Sequence, residues 1–166
     1  MDRQKVEMGE NGFTLVELIV TVAVMVILAI LATVQFRKMT INSSIEKELK
    51  MIYADLMELR TKALYENTPR AVRFTRTVMT IYPGSDTSAP PVMTRSLPHG
   101  VAWSGSGASL EIEYDTYGIS NKLVTVCVEP DDQNSSSVDS LIISHARIRM
   151  GKREAPNCKA EYVALK

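Results

Sequence analysis

The sequence predicts an α+β protein with one long N-terminal helix, whose first half spans a membrane, packed on an antiparallel β-rich C-terminal part. Three observations predict it: an apolar run over residues 13–36, a helical stripe of apolar residues over 37–66, and short β-branched runs after residue 70. The 166 residues suit one domain and an appendage, since domains commonly hold about 100–200 residues. Nineteen basic residues balance nineteen acidic ones, so net charge indicates neither a nucleic acid nor an acidic substrate.

Residues 13–36 contain a single charged residue, Glu17. Roughly 20 helical residues cross a hydrocarbon core of about 30 Å, so this run is long enough to span a membrane. A cleaved secretory signal is the competing interpretation. The run is too long for such a signal, the residues before it carry mixed charges, and no small-x-small cleavage site follows. We therefore expect a membrane-spanning helix.

The next segment, residues 37–66, changes to apolar positions at steps of three and four, which predicts an amphipathic helix. The stripe consists of Ile41, Ile45, Leu49, Ile52, Leu56, Leu59 and Ala63. The other faces are charged and are expected to face water, with Glu46, Lys47, Glu48, Lys50, Asp55, Glu58, Arg60 and Lys62. Asn67-Thr68-Pro69 predicts the end of the helix, because the residue before a proline is forced out of the α conformation.

Residues 67–166 predict a β-rich head. Runs of β-branched and aromatic residues at 71–75, 78–82, 100–103, 110–114, 123–128, 141–144 and 147–150 indicate strands, with turn residues between them. One face of such a sheet needs an apolar cover. The stripe on the second half of the helix is expected to supply that cover.

Directly before the apolar run stands the hexapeptide Gly12-Phe13-Thr14-Leu15-Val16-Glu17. This segment closely resembles the N-terminus of type IV pilins and type II secretion pseudopilins. The resemblance implies that residues 1–12 are a leader, that a prepilin peptidase cuts between Gly12 and Phe13, and that it methylates the new amino terminus of Phe13. Whether the leader starts at Met1 or Met8 stays open.

The resemblance also gives Glu17 a role in subunit assembly. A carboxylate within a membrane span costs about 2.5–3.5 kcal/mol on insertion scales, so it calls for a partner. The cationic amino terminus of Phe13, in the same or a neighbouring subunit, is the expected partner. The alternative is a glutamate that simply lies at the membrane interface near the helix end.

The rest of the chain resembles the H-type minor pseudopilins and their pilus counterparts over residues 57–64, 67–69, 114–118 and 146–149. A pilin-like head of another subtype is the alternative. The resemblance implies a structural subunit of a type II secretion pseudopilus, or alternatively of a type IV pilus. Its partners would be other pilin or pseudopilin subunits, prepilin peptidase and an inner-membrane assembly platform.

The implied location is the bacterial inner membrane, with the N-terminus cytoplasmic and the head periplasmic. A plain membrane-anchored binding module with one span, in which Gly12 and Glu17 have no processing role, is the alternative from another class. N-terminal processing separates the two hypotheses.

Cys127 and Cys158 are the two cysteines, and a translocated head would lie where disulfides persist. In the strand at 123–128 the valines share one face, so Cys127 points the opposite way and could meet Cys158. Closing that loop of about 30 residues would stabilise the head by roughly 3–4 kcal/mol. Two free thiols are the alternative.

Arg147 and Arg149 alternate on a predicted strand, with Lys152 and Arg153 close behind, and such arginines can contact phosphates. Some pilus-associated members of the resembling family bind DNA through a C-terminal Gly-Arg-x-Arg motif, but Ala146 stands in place of the glycine. No aromatic residue is interleaved to stack on bases. A solvated strand face is therefore the favoured interpretation, and nucleic-acid contact is the alternative.

The sequence indicates no enzyme. It contains no phosphate-binding loop, no nucleophile set beside a base and no paired carboxylates in an apolar setting. His99 and His145 have no cysteine or histidine at metal-ligand spacing. We therefore expect neither a metal nor a cofactor.

Overall fold

The computed structural model describes residues 14–130 and 134–166, which form one long helix followed by nine short strands. The helix, α1, spans Leu15–Glu66. The strands are β1 (Arg70–Phe74), β2 (Val78–Tyr82), β3 (Met93–Ser96), β4 (Val101–Trp103), β5 (Leu110–Tyr114), β6 (Val124–Val128), β7 (Ser140–Ile143), β8 (Ile148–Arg153) and β9 (Val163–Leu165), with a 3-10 turn at Ala160–Tyr162. The predicted α+β class, a long helix before an antiparallel β part, is confirmed.

The chain divides into two compact units, Met1–Lys38 and Met39–Lys166. The described part of the first unit is helical throughout after Thr14. The second, called the globular unit below, contains the rest of α1 and all the described strands.

The two ends of α1 are set by local hydrogen bonds. At the start, the Thr14 hydroxyl accepts the N–H of Glu17 at 3.2 Å, which is the N-cap bond expected of threonine. At the end, Asn67 takes a left-handed conformation with φ 50°, and the N–H of Thr68 donates to the Ala63 carbonyl at 3.2 Å. This six-residue closure is a Schellman motif, and Pro69 follows it.

The strands form two antiparallel sheets in the order β3-β2-β1-β5 and β4-β6-β7-β8-β9. β2 and β5 have the bounds that the sequence predicts, and the other predicted strands differ by one to three residues at their ends. The sequence prediction lacked β3 and β9. β3 follows two prolines and carries one apolar residue, and its pairing with β2, through Met93 opposite Ile81, is what holds it in a strand.

The apolar stripe of α1 is the centre of the core. Its buried members are Ile45, Leu49, Ile52, Leu56, Leu59 and Ala63. They form one cluster with Val72 and Phe74 from the four-stranded sheet and with Val126 and Leu141 from the five-stranded sheet. The helix therefore covers apolar side chains of both sheets, as expected.

Three assignments along α1 were wrong. Ile41 was placed in the buried stripe but is 45% exposed, so the buried stripe begins one turn later. Glu48 and Asp55 were placed in water but are 3% and 8% exposed. Helical periodicity sorts residues by face, whereas these two carboxylates are buried because the β part supplies polar groups to them.

Candidate functional site

The N-terminal part of α1 presents apolar side chains that are exposed among the residues that the structure describes. Leu15 is 74% exposed and Leu31 61%. By length and composition this part of the helix could cross a membrane, and none of the apolar window is buried. A signal sequence can have the same length and composition, but the buried core helix of a soluble protein would not show this exposure.

Two hydroxyl groups of this segment are hydrogen-bonded within the helix. The hydroxyls of Thr21 and Thr33 donate to the carbonyls of Leu18 and Ala29 at 2.9 and 2.8 Å. Such bonds remove hydroxyl donors from an apolar surrounding. Both threonines are therefore compatible with an apolar run, and Glu17 stands out as its one charged residue.

Glu17 lies in the first turn of α1, where a carboxylate is favoured by the positive end of the helix dipole. Thr14 and Glu17 have the spacing of a capping box, which the sequence prediction did not use. No described residue pairs with the Glu17 carboxylate through a hydrogen bond or an ion pair. Gly12 and Phe13 lie outside the described residues, so the cleavage site, the methylated amine and its pairing with Glu17 stay predictions.

The helix is fixed to the four-stranded sheet by an ion pair between Asp55 and Arg95. Arg95 Nε lies 2.6 Å from Asp55 Oδ2, and Arg95 Nη2 lies 3.0 Å from Asp55 Oδ1. Such a two-point pair fixes geometry as well as charge. Arg95 is on β3, the strand that the sequence prediction missed, so no local signal indicated its partner.

A serine-rich loop binds the helix near the start of the globular unit. The N–H and hydroxyl of Ser137 donate to Glu46 Oε1 at 2.7 and 2.8 Å, and the Ser135 N–H donates to Asn42 Oδ1 at 3.0 Å. The main-chain bond from Ser137 is the largest cause that lowers the pKa of Glu46. Glu46, which the pattern placed in water, thus positions this loop.

A third contact joins the other end of the helix to the turn after β5. Arg60 Nε donates to the Gly118 carbonyl at 2.8 Å. Gly118 has φ +66°, and a side chain there would meet Leu64 at 2.9 Å. Glycine is favoured here because other residues rarely adopt this positive φ. The bond from Arg60 to Gly118 lies within the globular unit.

A disulfide joins Cys127 on β6 to Cys158 in the segment after β8, with Cα atoms 5.9 Å apart. Every residue of β6 is buried, with Val124, Val126 and Val128 in the core cluster. The Cys158 sulfur lies 3.5 Å from the Thr125 carbonyl oxygen. The C-terminal segment therefore covers the face of β6 opposite the valines.

The basic residues near the C-terminus separate into two kinds. Arg147 and Arg149 are exposed, so nucleic-acid contact through them stays a prediction. Lys152 Nζ pairs with buried Asp139 at 2.7 Å, and Arg153, 6% exposed, donates to the Val128 carbonyl at 3.1 Å. Lys152 and Arg153, which were expected to be solvated charges behind that strand face, instead contact Asp139 and Val128.

The two histidines contact serines at separate places. His99 Nε2 is hydrogen-bonded to the Ser44 hydroxyl, and His145 Nδ1 lies 2.6 Å from the Ser120 carbonyl oxygen. Among the described residues, no group of three or more histidine, cysteine or acidic side chains could hold a metal ion.

Residues 8–33 match the family model described as the prokaryotic N-terminal methylation motif. The match includes Gly12, Phe13 and Glu17 and continues into the exposed apolar part of α1. No curated protein and no solved structure matches the chain.

The matched motif supports a subunit of the type IV pilin and pseudopilin kind. It points to a structural subunit rather than an enzyme, to assembly with other pilins and to processing by prepilin peptidase. With the apolar helix, it suggests an anchor in the inner membrane. The motif lies at the N-terminus, so it does not distinguish the H-type subgroup from other members.

Proposed function

We propose that this protein is a minor pseudopilin that assembles into a type II secretion pseudopilus. Prepilin peptidase cleaves it after Gly12 and methylates the amino terminus of Phe13. Residues 13–36 anchor it in the inner membrane with the N-terminus cytoplasmic, residues 37–66 complete the helix, and residues 67–166 form a periplasmic head.

The observation that carries this proposal is the methylation motif over residues 8–33, which continues into the part of α1 whose apolar side chains are exposed. An uncovered apolar helix is stable only in a membrane or against other apolar surfaces. The membrane suits the helix before assembly, and the equivalent helices of other subunits would offer it an apolar surface in the filament. A membrane-anchored binding module accounts for the span but gives no reason for the motif.

Within the proposal, Glu17 pairs with the amine that cleavage creates at Phe13. An unpaired carboxylate in hydrocarbon is unfavourable, and an oppositely charged partner offsets part of that cost. The pair would therefore favour one register between neighbouring helices. This role supplements the helix-capping geometry of Thr14 and Glu17.

A minor subunit of a type IV pilus is the alternative assignment. The motif and the fold suit both filaments, so the phenotype of a gene deletion separates them. A pseudopilin deletion should stop secretion of folded proteins across the outer membrane and leave surface pili intact. Loss of pili with normal secretion would instead favour the pilus, where Arg147 and Arg149 could contribute to DNA contact.

Cleavage after Gly12 can be tested with paired glycine variants expressed together with prepilin peptidase. Gly12→Glu should leave the full-length precursor in the membrane, because the residue at the cleaved bond is altered. Gly9→Glu introduces the same charge outside the cleaved bond and should be processed normally. Immunoblots of membrane fractions resolve precursor from mature chain.

Normal processing of Gly12→Glu would remove the proposed cleavage site. If neither Gly12→Glu nor Gly9→Glu were cleaved, the added charge in the leader, and not the residue at the cleaved bond, would be what controls processing.

A further inference from the structure

Glu48 on α1 is a carboxylate buried at the turn that joins β3 to β4. The residue is 3% exposed. Its Oε2 accepts the main-chain N–H of His99 at 3.2 Å, while Oε1 is buried and has no hydrogen-bond partner among the described residues. Since a buried charged oxygen without a partner is unfavourable, this arrangement costs stability whenever the carboxylate is ionised.

The same turn is held to the helix a second time by the His99 side chain. His99 Nε2 is hydrogen-bonded to the Ser44 hydroxyl, one helical turn before Glu48. Glu48 reaches the main chain of His99 and not its ring, so these three residues do not have the relay geometry of a hydrolase triad. They instead connect α1 to the turn at two points.

The charge of Glu48 depends on its surroundings in two opposing ways. Burial is the largest cause and raises the pKa of Glu48, whereas the His99 N–H and the charge of His99 lower it. His99, from the turn, is the titratable group that acts on this carboxylate among the described residues. On the helix, Lys47 and Lys50 are exposed, and the nearby core residues Leu49 and Val101 are apolar.

We propose that Glu48 and His99 form a pH-sensitive latch that holds the β3–β4 turn against α1. The latch is closed when Glu48 is protonated, and it opens more often when Glu48 has lost its proton. It belongs to the globular unit and does not depend on the proposed function.

The direction of the pH dependence follows from linkage. Because the closed latch raises the pKa of Glu48, the closed state binds this proton more tightly than the open state does. The stability of the latch is therefore fully present below the ordinary pKa of glutamate and is lost as pH rises through the raised pKa.

Amide hydrogen exchange of the full-length protein in detergent micelles measures latch opening. After correction for intrinsic exchange, peptides covering Leu97–Gly100 should exchange several-fold faster at neutral pH than at a pH below the ordinary pKa of glutamate, because the closed state loses its proton-linked stability as pH rises. Glu48→Gln removes the titrating group with little change of shape. It should exchange slowly at both pH values.

Glu58→Gln is the matched control, because Glu58 is an exposed member of the same helix, and it should keep the wild-type pH dependence. His99→Gln keeps the main-chain donor to Glu48 and should keep the wild-type direction of the pH dependence. Peptides from β7 report whether each variant is folded. The latch would be overturned if corrected exchange at the turn did not vary with pH. It would also be overturned if Glu48→Gln kept the wild-type variation with pH.

Discussion

Asp55 and Glu58 lie on the same helix and show how burial determines the contribution of an ion pair to folding stability. Glu58 pairs with Lys62 at 2.7 Å, but both side chains are about half exposed or more, at 62% and 49%. Asp55 pairs with Arg95 at 2.6 Å with side-chain exposures of 10% and 31%. Exposed pairs are screened by water and contribute little, whereas removal of one partner of a buried pair leaves a charge without compensation.

Asp55→Asn should therefore lower the free energy of unfolding by about 1.5–3 kcal/mol, the range for hydrogen bonds to charged groups. Glu58→Gln, the matched change on the exposed pair, should alter it by less than about 0.5 kcal/mol. Chemical unfolding of the full-length protein in mild detergent, followed through the β-sheet signal, measures both. Equal effects of the two variants would contradict the role given to Asp55 and Arg95.

At the scale of elements, the C-terminal segment is attached to the head by two features. Its strand β9 pairs with β8, and a side chain on Gly151 would meet the Ala164 carbonyl at 2.7 Å, so the close approach requires glycine there. Cys158, earlier in the segment, is bonded to β6. Strand pairing over three residues is weak, so the covalent bond is expected to hold the segment in place.

Cys158→Ser should release the segment and lower the stability of the head by roughly 3–4 kcal/mol on the loop-entropy model. Thermal unfolding measures the change, and limited proteolysis should show cleavage beyond β8. Addition of a reductant should lower the melting temperature of the wild type and leave Cys158→Ser unchanged. A reductant effect of equal size on both proteins would show that the bond does not hold the segment.

For the whole molecule, the sequence was most informative where local chemistry determines structure. The long helix, its end at Asn67-Thr68-Pro69 and seven of the strands follow from periodicity, turn residues and β-branched runs. The missed features depend on distant partners: Met93 is in a strand because Ile81 lies opposite it, and Asp55 is buried because Arg95 reaches it. No local pattern contains that information.

The functional residues also include some that a local motif indicates and some that depend on distant partners. The hexapeptide from Gly12 to Glu17 is a local motif, so the sequence alone predicted a processing role for it and the residues at which to test that prediction. The Glu48 latch joins the helix to a turn about fifty positions away, so helical periodicity placed Glu48 in water. Only the fold brings that carboxylate under the turn.

The central claim, that this chain is a processed filament subunit, is tested most directly by the mass of its mature N-terminal peptide. The protein should be purified from membranes of cells that contain prepilin peptidase, digested and analysed by mass spectrometry. We predict a terminus at Phe13 that carries one added methyl group. A terminus that begins at Met1 or Met8, or an unmodified cut at another bond, would contradict the claim.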